Sequence, residues 1–155
     1  DTINRQRLIR AIEIATYYKN HPEASAKHFE AVESEVYGIY FERSELRKRI
    51  TDRLKSRMNE GMIDEVKLLL KSGVKKEKLL FYGLEYRYVT LYLNNELSYD
   101  EMFSGLNTAI HQFAKRQMTW FRRMEKKGVE ICWVKGNLDL QEKIDYILKE
   151  SDMNL

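Results

Sequence analysis

With 155 residues, 43% hydrophobic and 33% charged, the chain has material for one or two compact units and is too polar for a membrane protein. Its formal charge of +3 excludes strong global attraction to nucleic acid, so any such affinity must come from a local cluster. The single cysteine, Cys132, excludes an intrachain disulfide; between Ile131 and Trp133 it reads as a buried thiol in a reducing, cytoplasmic setting.

No run reaches bilayer-spanning length, and the chain opens on Asp1 close to a helical pattern, which reads as a piece excised from a longer protein. Asn4 to Tyr18 predicts a helix capped by Asn4, with Leu8, Ala11, Ile12 and Ala15 on one side. Lys19 to Glu35 holds Pro22 and little periodicity, so it reads as a turn and a loose link; a subdomain boundary is expected there, dividing residues 1–30 from 31–155. Val36 to Phe41 is β-branched and aromatic on both faces, the pattern of a strand buried on two sides.

Glu45 to Asn59 carries Leu46, Ile50, Leu54 and Met58 in one row, followed by a left-handed stop at Gly61. A short helix, Ile63 to Lys71, ends at Gly73. An aromatic segment, Lys78 to Leu93, turns helical after Gly83, with Tyr82, Tyr86, Tyr88 and Tyr92 placed for packing. Ser98 and Glu101 match a capping box that opens a long basic helix to Lys127, closed by Gly128. Val129 to Val134 predicts a second strand, and Asp139 to Glu150 a last helix burying Leu140, Ile144, Ile147 and Leu148. Two strands make at best a marginal sheet, so the rest of their sheet is expected outside this chain.

The chemistry concentrates in Lys115 to Lys127, which holds six cations, two large aromatics and one acid, Glu125. On a helix, Leu106, Ile110, Phe113, Phe121 and Met124 form a packing stripe opposite His111, Lys115, Thr119, Arg122 and Lys126. Arginine forks and lysine point charges on such a face suit phosphate oxygens. Gln117 interrupts the stripe and needs a partner there, and for Trp120 and Phe121 packing outweighs stacking on RNA. Arg49, Arg53 and Arg57 form a second cationic row, in which Glu45 is placed to pair with Arg49. His21, His28 and His111 lack ligand spacing, so no metal site is expected from them.

The string Lys115, Arg116, Gln117, Met118, Thr119, Trp120, Phe121, Arg122 resembles the Lys-Arg-Gln-x-Thr-Trp-Phe-Arg segment of the tRNA dimethylallyltransferases. The likeness continues through Asn4, Arg7, Arg10, Ala11 and Glu13; through Arg43, Leu46, Arg49, Ile50, Arg53, Met58, Gly61, Asp64, Glu65 and Val66; and through Tyr92, Leu93, Ser98 and Glu101. It implies a mainly α piece of an α/β P-loop protein: residues 1–30 from a helical insertion, and 31–155 from the transferase core, two short strands joining a parallel sheet largely absent here. It also implies transfer of the dimethylallyl group of dimethylallyl diphosphate, with Mg²⁺, to N6 of the adenine 3′ of the tRNA anticodon, by an enzyme that is monomeric when intact. The tRNA anticodon stem-loop would be held by Gln6, Arg7, Leu8, Ile9, Arg10 and by Lys115 to Arg122, and the diphosphate by Arg49 or Arg53. The spacing of the seven glycines rules out a Walker-type phosphate loop, and the family's base aspartate has no counterpart, so this chain alone is expected to be inactive and to bear no Mg²⁺ ligands. Gly83-Leu84-Glu85-Tyr86 departs from the family's Gly-Tyr, as does the absence of its Thr-Gly after the first helix. A non-catalytic helical RNA-binding module is the alternative reading.

Overall fold

A computed structural model describes residues 4–25 and 34–153; the remainder of the expected link, His28 included, lies outside the described residues. The chain divides into two compact units, Asp1–Ser34 and Glu35–Leu155. The first contains α1 (Arg5–Asn20) and α2 (Pro22–Ser25). Asn4 caps α1 by accepting from the Arg7 amide at 3.3 Å, as its short side chain allows. No residue of α1 is buried. Leu8 and Ile12 of the expected apolar side are 51% and 57% exposed, so that side has no cover among the described residues.

The second unit runs β1 (Tyr37–Tyr40), α3 (Arg43–Asn59), α4 (Met62–Lys71), α5 (Lys76–Tyr82), α6 (Leu84–Leu93), α7 (Tyr99–Glu125), β2 (Cys132–Lys135) and α8 (Leu140–Met153). Helix α4 starts at Met62, where Gly61 takes φ +96°, a left-handed turn that costs a residue without Cβ little. The helix expected after Gly83 is α6, and the residues before that glycine are helical as well, forming α5. The core lies where α4, α5, α6 and the first half of α7 meet: Met62, Val66, Leu79, Val89 and Met102 are each at most 1% exposed. Helices α6 and α7 approach closely because Gly105 faces Tyr88; a Cβ there would come within 2.7 Å of the ring.

Beside this core, Arg57 donates to Glu65 at 3.2 Å and Tyr86 donates its hydroxyl to the same carboxylate at 2.6 Å. The Tyr86 hydrogen bond and the Arg57 guanidinium hold the Glu65 carboxyl below its ordinary 4.5. A depressed carboxyl stabilises the fold above its unfolded value and loses that contribution as pH falls through the folded one. The unit is therefore expected to weaken as pH drops from 4.5 downward. Glu65→Gln should reduce that acid sensitivity, read from urea midpoints between about pH 6 and about pH 3.

The two strands pair in parallel with Tyr37 opposite Cys132 and Gly38 opposite Trp133. A Cβ on Gly38 would fall 2.6 Å from the Trp133 ring, so glycine is what lets the indole lie across the strand. Burial on two faces is not what the structure shows: Ile39 is 51% and Tyr40 40% exposed. The last helix departs likewise, with Leu140 74%, Ile144 40% and Leu148 58% exposed and Ile147 half-buried. Cys132 is half-buried rather than buried. Helix α8 is tied to the sheet by Tyr37, whose hydroxyl lies 2.9 Å from Ser151 Oγ and 2.8 Å from Glu35. Among the described residues, no helix is long and apolar enough to cross a membrane.

Candidate functional site

Helix α7 changes character along its length. Ser98 accepts from the Glu101 amide while the Glu101 carboxylate takes the Ser98 amide at 2.8 Å, completing the capping box. The first turns are sunk in the core through Met102 and Leu106. Midway, α3 crosses it: the Thr51 hydroxyl sits 3.1 Å from Asn107 Oδ1 and 3.2 Å from His111 Nε2. Thr51 donates its one proton to Asn107 and lies within hydrogen-bond distance of the His111 ring. His111, placed on the charged face by periodicity, is thus half-buried in a helix–helix joint.

Beyond that joint the helix opens to solvent. Lys115, Arg116, Gln117, Thr119, Trp120 and Arg122 are exposed, while Met118 and Phe121 are half-buried. Phe121 packs edge-on against Trp133 at 5.6 Å, and the Trp133 indole donates to Glu125 at 2.9 Å. These contacts pin the end of α7 to β2. None of Lys115, Arg116 and Arg122 takes part in an ion pair among the described residues. Three unneutralised cations on one pinned helix form a surface that attracts polyanions. The hydrogen bond and charge of Glu42 raise the Tyr40 hydroxyl above its ordinary value, and the positive charge of Arg122 opposes them.

The structure corrects two readings of this stretch. Trp120 is 61% exposed and not in the core. Gln117 faces solvent and needs no partner in a packing stripe, and Phe113 of that stripe is 48% exposed. Phe113, Arg116, Trp120 and Arg123 recur at three- and four-residue spacing and share one face. The Arg116 guanidinium lies 5.8 Å from the Phe113 ring centroid. That spacing was the signal available in the sequence for an aromatic and cationic face. Thr119 donates its hydroxyl to the Lys115 carbonyl at 3.0 Å, which leaves it free only to accept.

The arginines of α3 have three different surroundings. Arg49 lies over the Phe41 ring at 4.5 Å, not in an ion pair with Glu45. Arg53 is exposed with no ion pair among the described residues. Arg57 is engaged by Glu65 and by the Met62 sulfur at 3.1 Å. Of the tyrosines expected to pack, Tyr86, Tyr88 and Tyr92 lie against the core, whereas Tyr82 is 66% exposed. In the other unit, Gln6, Arg7, Leu8, Ile9 and Arg10 are all exposed on the first turns of α1, and Arg10 pairs with Glu13 at 3.0 Å. Among the described residues, no group of three or more His, Cys, Asp or Glu could hold a metal ion.

Comparison with known proteins converges on one group. The family model described as IPP transferase matches residues 1–124. The chain is 54% identical over 149 residues to a tRNA dimethylallyltransferase 2 of Porphyromonas gingivalis, covering 96% of this chain and 49% of that protein. It is 49% identical over 147 residues to a tRNA dimethylallyltransferase 2 of Bacteroides fragilis, covering 95% and 47%. Its structure is similar to that of the tRNA delta(2)-isopentenylpyrophosphate transferase of Staphylococcus epidermidis, with TM-score 0.69 and 25% identity over 97% of this chain and 49% of that one. The full-length tRNA isopentenylpyrophosphate transferase of Bacillus halodurans gives TM-score 0.63 at 25% identity, over 86% and 48%. The chain thus spans about half the length of the curated relatives it matches.

Proposed function

The chain belongs to the IPP transferase family, and from that premise we propose that it supplies the RNA-gripping part of a tRNA-modifying prenyltransferase. In this reading the whole enzyme moves the dimethylallyl group of dimethylallyl diphosphate onto N6 of the adenine 3′ of the anticodon, in the cytoplasm. The observation that carries it is the stretch Lys115 to Arg122, whose cations are exposed and outside any ion pair among the described residues, on a helix pinned to β2 by Phe121 and Glu125.

The target adenine is stacked in an RNA loop and must leave the stack to meet an allylic carbon, at a cost of a few kcal/mol. Contacts to the distorted loop offset that cost. Lys115, Arg116 and Arg122 are suited to its phosphates, and Trp120 offers a ring face to a splayed base. Gln6, Arg7, Leu8, Ile9 and Arg10 serve the same RNA from the other unit. Departure of diphosphate gathers negative charge on the leaving oxygens, which arginines can stabilise. We assign that role to Arg49 or Arg53 and favour Arg53, because Arg49 rests on Phe41 and Arg57 is committed to Glu65. The resemblance places the ligands of Mg²⁺ outside this chain, and the roles assigned here belong to the chain's own arginines and lysines. The chain alone is expected not to transfer prenyl groups, and detectable transfer to tRNA by these 155 residues would overturn that part.

Titration of the chain with an anticodon stem-loop RNA across a salt series tests the reading. Affinity that falls linearly in log–log form with salt supports it. Salt-independent association, or none at low salt, would sink it.

A further inference from the structure

A second basic surface lies away from α7. Between Lys67 and Lys78 the sequence carries five lysines and one acid, Glu77. Helix α4 delivers Lys67 and Lys71 on its outer face, since Met62 and Val66 face the core. The chain then turns at Gly73, with the Val74 amide bonded back to the Leu69 carbonyl at 3.1 Å. Lys75 and Lys78 follow at the start of α5, whose Leu79 is buried. Lys76 is tied to Glu96. Lys67, Lys71, Lys75 and Lys78 are exposed and make no ion pair among the described residues.

Local stability does not account for the group. The C-terminal dipole of α4 rationalises Lys71, but neither Lys75 nor Lys78 gains from the dipole of α5. Phe81, one turn on from Lys78, is 91% exposed. Cations beside a free ring face are the combination used by surfaces that follow a nucleic-acid strand without reading its sequence. A lipid surface would need a contiguous apolar face beneath the lysines; Met62, Val66 and Leu79 are spent on the core, which leaves Leu68, Phe81 and Tyr82 as the large exposed apolar side chains of α4 and α5.

The corner stands well apart from the cationic stretch of α7. The Lys76–Glu96 tie places it beside the turn that precedes Ser98. Lys115 lies about 25 Å further along α7, at about 1.5 Å per residue. We propose that Lys67, Lys71, Lys75 and Lys78 form a second phosphate-contacting surface, which meets the tRNA backbone outside the anticodon stem-loop. This rests on the RNA reading above and extends it from the loop to the body of the tRNA.

The test compares the unaltered chain with Lys67→Gln/Lys71→Gln/Lys75→Gln/Lys78→Gln on intact tRNA and on the isolated anticodon stem-loop. All four side chains are exposed, so thermal melting should be unchanged. On intact tRNA the slope of log affinity against log salt should flatten by up to about 3.6, at about 0.9 for each of four lost phosphate contacts. On the stem-loop it should not move. An unaltered slope on intact tRNA overturns the proposal and leaves the α7 reading standing. Equal losses on both RNAs overturn the placement outside the loop. Lysine-dependent binding to anionic phosphatidylserine vesicles with no effect on tRNA assigns the patch to membranes and overturns it too. Failure of the unaltered chain to bind either RNA overturns both readings together.

Discussion

Replacing Lys115 and Arg122 together by alanine is expected to weaken binding of an anticodon stem-loop by roughly 25- to 60-fold at about 0.1 M salt, at about 0.7 to 0.9 log unit per lost contact. The same variant should flatten the log–log salt slope by about 1.4 to 1.8. Both side chains are exposed and outside any ion pair among the described residues, so unfolding should be unaffected. Trp120→Ala provides the contrasting arm. Its ring carries no charge, so it should cost about 1 to 3 kcal/mol of binding through lost base stacking while the salt slope stays as it was. A Lys115/Arg122 variant that binds normally would show that this stretch is a solvated face and nothing more.

Met102→Ala is expected to destabilise the second unit by about 2 to 5 kcal/mol, the range for truncating a buried aliphatic side chain. Met102 is fully buried among Met62, Val66, Leu79 and Val89, which come from α4, α5 and α6. That loss is a large share of the roughly 5 to 15 kcal/mol that holds a domain together, and urea midpoints should shift accordingly. Leu140→Ala, at 74% exposure, should stay within about 0.5 kcal/mol. Equal costs at the two positions would mean that α8 has a cover the structure does not show.

That pair of substitutions also marks where sequence could and could not speak. Helix starts and stops were legible because their causes are local: Ser98 and Glu101 are three residues apart and satisfy each other's backbone, and Gly61 alone supplies the left-handed turn before α4. The basic stretch was legible because it is contiguous. Burial was not. Leu140, Ile144 and Leu148 do lie in one row, but a row shows which side seeks cover, not whether the covering element is present. The same holds for Ile39 and Tyr40 on a strand with one parallel neighbour among the described residues. Trp120 was assigned to packing because it flanks the stripe that holds Phe121; its neighbours Arg116 and Arg123 on its own face argued for the opposite. The Thr51–Asn107–His111 joint was beyond reach, since its partners are 56 and 60 residues apart and only the crossing of α3 and α7 unites them. Arg57 extends the cationic row of Arg49 and Arg53 in sequence, but Glu65, itself held by Tyr86, engages it.

The central claim is that the exposed stretch of α7 holds the anticodon stem-loop, and photo-crosslinking tests it most directly. A stem-loop RNA carrying 4-thiouridine in its loop would be irradiated with the chain and the adducts mapped by peptide mass spectrometry. The account predicts crosslinks within Lys115 to Arg122, lost when unlabelled stem-loop competes. Crosslinks scattered over the surface, or confined to regions outside that stretch, would contradict it.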